Sequence, residues 1–194
     1  MKRRRYWYNL LRYFGLALFL AFSALLVTVC YRQAWLLTHP LRQPVRCSPA
    51  SYGLSYEEAS FPSTDGLRLA GWYVPSRNGT VVILCHGLRA NRCGGLPLAR
   101  MLADHGYGAL LFDFRACGES EGEVTTYGAF EVYDLLGAVR YLRGRPEVKH
   151  IAVIGYSLGG VVAIRAAARA PDIEAVIVEG AFASLEELLD QRWG

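Results

Sequence analysis

Five consecutive residues have the types and the spacing of a serine nucleophile. Gly155-Tyr156-Ser157-Leu158-Gly159 fits the pattern G-x-S-x-G and follows the apolar run HIAVIG. At a sharp turn from a strand into a helix, the two glycines avoid clashes and the Ser157 hydroxyl is presented above a sheet edge. The N–H of Leu158 then faces the oxygen that becomes negative when the hydroxyl attacks a carbonyl. We predict acyl transfer; the alternative is an ordinary junction with a surface serine.

A second group of residues agrees with this chemistry. His86-Gly87 directly follows the apolar run TVVILC. The glycine allows a tight turn, so that the N–H of Leu88 can face the same oxygen as the N–H of Leu158. We interpret His86 as a residue that orients this loop through hydrogen bonds; the alternative is a base for proton transfer.

The segments around these motifs predict an α/β fold. Short apolar runs are typical of strands buried on both faces, and they alternate with helical patterns, as in a parallel sheet. Ser63-Thr64-Asp65-Gly66 indicates a hairpin turn between the first two strands. The predicted strands are Glu57–Pro62, Leu67–Val74, Thr80–Cys85, Tyr107–Phe112, His150–Gly155 and Ile173–Glu179. The predicted helices are Gly94–His105, Phe130–Leu142 and Gly159–Ala170.

The charge of the chain is divided unevenly along its 194 residues. Residues 1–56 hold eight basic and no acidic side chains, whereas the remainder holds 13 basic and 17 acidic ones. An acidic body argues against nucleic-acid binding, which needs positive charge on the folded surface. Four cysteines outside the apolar segment show neither a disulfide framework nor metal-ligand spacing, so they do not indicate a compartment: Cys47, Cys85, Cys93 and Cys117.

Residues 13–31 contain no charge and no proline, and they are long enough to span a membrane. We predict an uncleaved anchor in contact with lipid, with a cleaved signal peptide as the alternative. Five basic residues precede this span and three follow it, which favours a cytoplasmic N-terminus and a body on the opposite side. The predicted domains are therefore 1–35 (basic N-terminus and anchor), 36–56 (a proline-containing tether) and 57–194 (the body).

One further motif suggests a family. Asp113-Phe114-Arg115-Ala116-Cys117-Gly118-Glu119-Ser120-Glu121-Gly122 resembles the loop D-x-R-G-x-G-x-S-x-G of α/β-hydrolases, with Ala116 in place of a glycine. Together with the two motifs above, it makes the body similar to the membrane-anchored serine esterase and aminopeptidase-like branch. The resemblance implies a partial α/β-hydrolase fold, a small acyl substrate and no cofactor or metal. It also implies that Asp113 and Arg115 support the site, as do His86, Gly87, Gly155 and Gly159.

The resemblance also implies a catalytic acid and a catalytic histidine, and the sequence after Ser157 does not supply both. The family's chain order is serine, then an acid, then a histidine, and no histidine follows Ser157. His105 and His150 lie at the amino ends of strands, and His39 lies in the tether. Glu179 is a candidate acid in a variant arrangement, or simply a polar residue that closes its strand. We therefore expect the N-terminal part of a longer hydrolase, inactive by itself.

Two functions remain open at this point. The first is a membrane-anchored serine hydrolase that cleaves esters, thioesters or amides through an acyl-enzyme. The alternative is a catalytically silent binding or assembly module at a membrane. Ile173–Glu179 is expected to be an exposed edge strand, through which two chains could associate. Five bulky residues are candidates either for an acyl pocket or for the core: Phe114, Tyr127, Phe130, Tyr156 and Phe182.

Overall fold

A long apolar helix opens the part of the chain that the computed structural model describes, which is residues 2–184 and 186. This helix, α1, runs from Lys2 to Thr38. Among the described residues it is the one helix long and apolar enough to cross a membrane. Its 37 residues rise about 55 Å at 1.5 Å per residue, which exceeds the hydrocarbon thickness of about 30 Å. The chain divides into two compact units, Met1–Thr38 and His39–Gly194.

Within the described residues, the second unit is built on one mixed sheet of six strands in the order β1-β2-β4-β3-β5-β6. The strands are β1 (Glu57–Pro62), β2 (Arg68–Val74), β3 (Thr80–Cys85), β4 (Gly108–Phe112), β5 (His150–Tyr156) and β6 (Ile173–Glu179). β1 and β2 form the predicted antiparallel hairpin, and β2 is antiparallel to β4. The strands β4, β3, β5 and β6 are parallel to one another. Their carboxyl ends therefore meet at one edge of the sheet, where open α/β sheets bind ligands.

Helices cover both faces of the sheet. They are α2 (Leu96–Asp104), α3 (Glu131–Arg143) and α4 (Leu158–Ala167). On one face, Leu96 of α2 packs in a cluster with Leu84 of β3. On the other face, Leu135 of α3 and Val162 of α4 pack in a cluster with Val153 of β5. This two-sided burial is the reason that the central strands are apolar along their whole length.

The predicted α/β fold is confirmed. Each predicted strand is present, with bounds that differ by at most one residue from those expected. The observed helices differ more from the predicted ones at their ends, where the sequence pattern is least informative. Residues Arg92–Gly95 form a separate 3-10 turn, so that α2 begins only at Leu96, and α4 ends at Ala167 rather than at Ala170.

Residues 39–56, which we call the strap, correspond to most of the predicted tether. They belong to the same compact unit as the sheet. Pro49 and Leu54 are buried, and Cys47 forms a disulfide with Cys93, which lies in the 3-10 turn before α2. Because the two cysteines are 46 residues apart in sequence, their pairing depends on the fold and was not predicted.

β6 is the outermost strand on its side of the sheet within the described residues. Ile177 and Val178 of β6 are 61% and 41% exposed. The expectation of an exposed edge at 173–179 is thus met in the described part of the chain. Self-association through this edge stays a prediction.

Candidate active site

Ser157 lies at a strained turn between β5 and α4. Its backbone has φ 52° and ψ −116°, which residues with a Cβ rarely adopt. The Ser157 N–H donates to the carbonyl oxygen of Glu179 at the end of β6, over 2.8 Å, and this bond fixes the turn against the neighbouring strand. Strain of this kind costs about 1–3 kcal/mol and is concentrated at functional sites.

The glycines around Ser157 make the turn possible. A Cβ on Gly155 would overlap the carbonyl group of Gly159, and a Cβ on Gly159 would overlap the carbonyl group of Cys85. A Cβ on Gly87 would lie 3.5 Å from the Cβ of Ser157. The loop after β3 is therefore in contact with the serine turn, and the structure brings the first two sequence motifs together.

Two candidate N–H donors belong to residues that adjoin the serine turn, Leu158 within the turn itself and Leu88 directly after Gly87. Leu158 is the first residue of α4, so its N–H has no acceptor within the helix. For the N–H of Leu88, which follows Gly87, no hydrogen bond is found within residues 2–184 and 186. Unpaired amides at a helix N-terminus and in an adjacent loop are suited to binding a carbonyl oxygen that becomes negatively charged.

His86 is buried, and both of its ring nitrogens are engaged. The N–H of Phe114 donates to Nε2 over 3.0 Å, so this nitrogen carries no proton. Nδ1 therefore holds the proton and donates it to the carbonyl oxygen of Gly87 over 2.8 Å. These bonds join the loop after β3 to the loop after β4, and they leave His86 no free nitrogen to act as a base.

Burial lowers the pKa of His86, against the opposing effects of its bond to Gly87 and of the Asp113 charge. We expect the free energy of unfolding to decrease as the pH falls below about 6.5, because unfolded His86 then takes up a proton that the folded residue resists. Above that pH, the contribution of neutral His86 to the free energy of unfolding is fully present. Urea denaturation at pH 7.5 and 5.5 measures this dependence.

The variant His86→Gln is the control, since it removes this titration and should flatten that part of the pH dependence. NMR of the imidazole ring gives an independent measurement, in which folded His86 should remain neutral at pH 6.5. The expectation would be contradicted if folded His86 titrated at its ordinary pKa of about 6.5 and the free energy of unfolding depended on pH equally in both proteins.

No side chain in the described part of the chain accepts a hydrogen bond from the Ser157 hydroxyl. His150 begins β5 at the strand end opposite Ser157, about 20 Å away at 3.3 Å per residue, and its Nδ1 lies 2.7 Å from the carboxylate of Glu174. His105 follows α2, ahead of β4, and its Nδ1 bonds the Met101 carbonyl oxygen. Asp190, an acidic residue that follows Ser157 in the sequence, lies outside the described residues.

Asp113 is fully buried and holds two loops together. Its carboxylate accepts from the backbone N–H and the guanidinium of Arg92, over 2.8 and 2.5 Å, and from the N–H of Glu119. Arg92 is also buried, lies over the ring of Trp72 and pairs with the carboxylate of Glu119. Arg92 was missed in the sequence; the only signal for it is that a buried aspartate requires a cation.

Arg115 fixes the loop after β4 to α3. Its guanidinium bonds the carboxylates of Asp134 and Asp65 at 2.7–3.1 Å. Burial raises the pKa of Asp134 to about 6, while the bonds from Arg115 act to lower it. Ala116 has φ 59°, which explains why glycine is usual at this position of the motif. Asp113 and Arg115 thus lie in the framework beneath the site.

A cavity of about 420 Å³ borders the serine turn. Gly87 and Tyr156, the residue before Ser157, line the cavity, and Leu84, Leu98 and Ile154 give it an apolar wall. Of the five bulky candidates for an acyl pocket, Tyr156 lines this cavity. Phe114 instead packs in the core against Phe112 and His86.

Comparison with known proteins agrees with this geometry. The family model described as "alpha/beta hydrolase fold" matches residues 80–194. The chain belongs to the alpha/beta hydrolase family. The match includes β3, the serine turn and β6. The antiparallel hairpin of β1 and β2 precedes it.

Several curated proteins resemble the chain over most of its length. The uncharacterized protein YfhR of Escherichia coli K12 is 30% identical over 147 residues, which cover 71% of this chain and 51% of YfhR. The uncharacterized protein Rv2307c of Mycobacterium tuberculosis is 31% identical, with 86% of this chain and 59% of that protein covered. The chain spans about half the length of the curated relatives it matches.

A solved structure of the esterase Pf2001 from Pyrococcus furiosus has a TM-score of 0.73 and 28% identity. The match covers 81% of this chain and 62% of that one. Another crystal form of the same esterase has a TM-score of 0.71 and 32% identity, with 75% and 56% covered. The similarity therefore extends to a protein described as an esterase.

Proposed function

We propose that the chain is part of a membrane-anchored serine hydrolase that cleaves small esters, thioesters or amides, with Ser157 as the nucleophile. The observation that carries the proposal is the positive φ of Ser157 at a turn in contact with Gly87. Such strain is retained where function requires it, and the residues that carry the two candidate N–H donors, Leu88 and Leu158, adjoin this turn. The similarity to a named esterase supports an ester as the substrate class.

The geometry suggests the following mechanism. The Ser157 oxygen attacks the substrate carbonyl carbon, and the hydroxyl proton passes to a base. The N–H groups of Leu88 and Leu158 stabilise the negative oxygen of the tetrahedral intermediate. Collapse of this intermediate breaks the bond to the leaving group, which takes the proton, and an acyl ester forms on Ser157. Water then attacks the acyl ester by the same steps and regenerates the serine.

A histidine base for Ser157 is the part that the described residues do not supply. Since no histidine follows Ser157 in the sequence, and His86 is engaged on both nitrogens, we propose that the base comes from polypeptide outside these 194 residues. Without a base, a serine hydroxyl is a weak nucleophile at neutral pH. The 194-residue chain alone is therefore expected to be inactive.

Membrane anchoring through α1 is the second part of the proposal. The apolar segment 13–31 has more basic residues before it than after it, which favours a cytoplasmic N-terminus. The Cys47–Cys93 disulfide supports the same orientation, because disulfides persist mainly in oxidising compartments. The hydrolase unit then faces away from the cytoplasm.

A membrane-impermeant fluorophosphonate probe on intact cells tests both parts together. In the product of the complete reading frame, we expect the probe to modify Ser157, as identified by mass spectrometry of the modified peptide. The matched variant Ser157→Ala should not be labelled, and neither should the 194-residue chain.

Labelling that appears only after the cells are permeabilised would contradict the orientation. The alternative function, a silent binding module, is favoured because no side chain among the described residues is hydrogen-bonded to the Ser157 hydroxyl. It would be supported if the complete product also failed to react in permeabilised cells. Labelling of the 194-residue chain would overturn the proposal that the base lies outside it.

A further inference from the structure

We propose that the strap, residues 39–56, positions the loop that carries the Leu88 N–H, and that Arg42 and the Cys47–Cys93 disulfide are its positioning residues. We call Gly87–Cys93 the donor loop. The proposal rests on the proposed function, since it gives the strap a role in that reaction. It follows from three sets of contacts. They join the strap to the donor loop, the strap to the loop after β4, and the loop after β4 to the donor loop.

The first set joins the strap directly to the donor loop. The Cys47–Cys93 disulfide links the two covalently. Two residues before Cys93, the side-chain amide of Asn91 donates to the carbonyl oxygens of Gln43 and Pro44, over 3.1 and 3.3 Å. The Asn91 amide oxygen accepts the N–H of Cys93 over 3.0 Å. The carboxyl end of the donor loop is thus fixed to the strap by one covalent bond and two hydrogen bonds.

The second set joins the strap to the loop after β4. The Arg42 guanidinium donates to four backbone carbonyl oxygens, and its bonds to Ser120 and Gly122 are both 2.5 Å long. The other two acceptors are Cys117 and Gly118. A guanidinium has five N–H donors in a fixed plane, so a single side chain can hold several carbonyl groups of a loop in one arrangement.

The loop after β4 in turn holds the start of the donor loop. Phe114 donates its N–H to His86, which donates to the carbonyl oxygen of Gly87. Asp113 accepts from the N–H of Arg92 near the end of the donor loop. Arg42 and the disulfide therefore act on both ends of the segment that includes Leu88.

The donor loop has little regular structure of its own. Arg89, directly after Leu88, has φ 58°, and Gly87 is packed against the serine turn. An irregular segment depends on its side-chain and covalent contacts for a defined geometry. Because the Leu88 N–H would act on a charge that exists only in the transition state, its displacement should lower kcat more than it changes KM.

The variants Arg42→Gln and Cys47→Ser/Cys93→Ser test the proposal in the product of the complete reading frame. With a short-chain p-nitrophenyl ester, each should lower kcat about tenfold or more while KM changes less than about twofold. Arg42→Lys keeps a cationic donor and should recover part of the lost kcat. Arg100→Ala is the matched control: Arg100 also binds strap carbonyl groups, those of Tyr52 and Gly53, but outside the donor loop. It should leave kcat unchanged.

Amide hydrogen exchange provides a readout that does not require activity. Exchange in residues 86–93 and 113–122 should become at least about tenfold faster in both variants and remain unchanged in β5. If exchange in these segments is unchanged, or if it increases while kcat stays at the wild-type value, the proposal is overturned. If the wild-type protein fails to hydrolyse the ester, the proposed function fails, and hydrogen exchange still decides whether the strap holds the donor loop.

Discussion

The variant Ser157→Ala should lose ester hydrolysis by a factor of at least about 10³ in kcat, as removal of the catalytic serine does in known serine hydrolases. The reason is that alanine cannot form the acyl-enzyme, and the N–H groups of Leu88 and Leu158 would be left to assist a direct attack by water. The measurement is hydrolysis of a short-chain p-nitrophenyl ester by the complete gene product. Ser55→Ala, at an exposed serine of the strap, is the matched control and should retain full activity.

A second substitution tests the backbone strain at position 157 separately from the role of the Ser157 hydroxyl. Glycine adopts the φ and ψ of Ser157 without steric cost. Ser157→Gly should therefore be inactive, yet more stable than the wild type by about 1 kcal/mol, as measured by urea denaturation. Retained activity in Ser157→Ala would show that Ser157 is not the nucleophile. A loss of stability in Ser157→Gly would show that the turn is not strained.

The variant Gly159→Ala should lower the free energy of unfolding by about 3 kcal/mol or more. An added Cβ would overlap the carbonyl group of Cys85 and approach the carbonyl oxygen of His86, and these backbone atoms cannot move without separating α4 from the end of β3. Overpacking costs about 1–3 kcal/mol where side chains can adjust, and more where they cannot. The midpoint of urea denaturation of the detergent-solubilised protein measures the loss.

Gly94→Ala is the matched control for this substitution. A Cβ on Gly94 would have no atom within 4 Å, and its φ is not positive. Gly94→Ala should therefore leave the urea midpoint nearly unchanged. Equal midpoints for Gly159→Ala and the wild type would contradict the close approach of α4 and β3 on which the serine turn depends.

Local sequence patterns were sufficient to predict the fold, because the residues of each strand or helix carry the pattern of that element. A run such as TVVILC is apolar on both faces only if it is buried on both. The glycines at 155 and 159 are informative for the same reason, because a strand-to-helix turn with an outward serine requires small residues at fixed spacing. The α/β fold could therefore be predicted almost to the residue, and the serine turn could be located.

The contacts that hold the site together could not be predicted in this way. The pairing of Cys47 with Cys93 is decided by where the strap runs across the sheet unit, and no local pattern encodes this path. Arg42 binds backbone carbonyl groups, which every residue has, so no sequence pattern identifies its partners. Arg92 is similar, since its burial becomes visible only when Asp113 and Trp72 are found around it.

The bridge between Cys47 and Cys93 also acts when the protein is not folded. It closes the first three strands of the sheet into a covalent ring and so reduces the number of conformations open to the denatured chain. For a separation of 46 residues, the chain-entropy relation gives about 4 kcal/mol of stabilisation. The native fold gains this stabilisation without any additional contact, because the competing ensemble has become smaller.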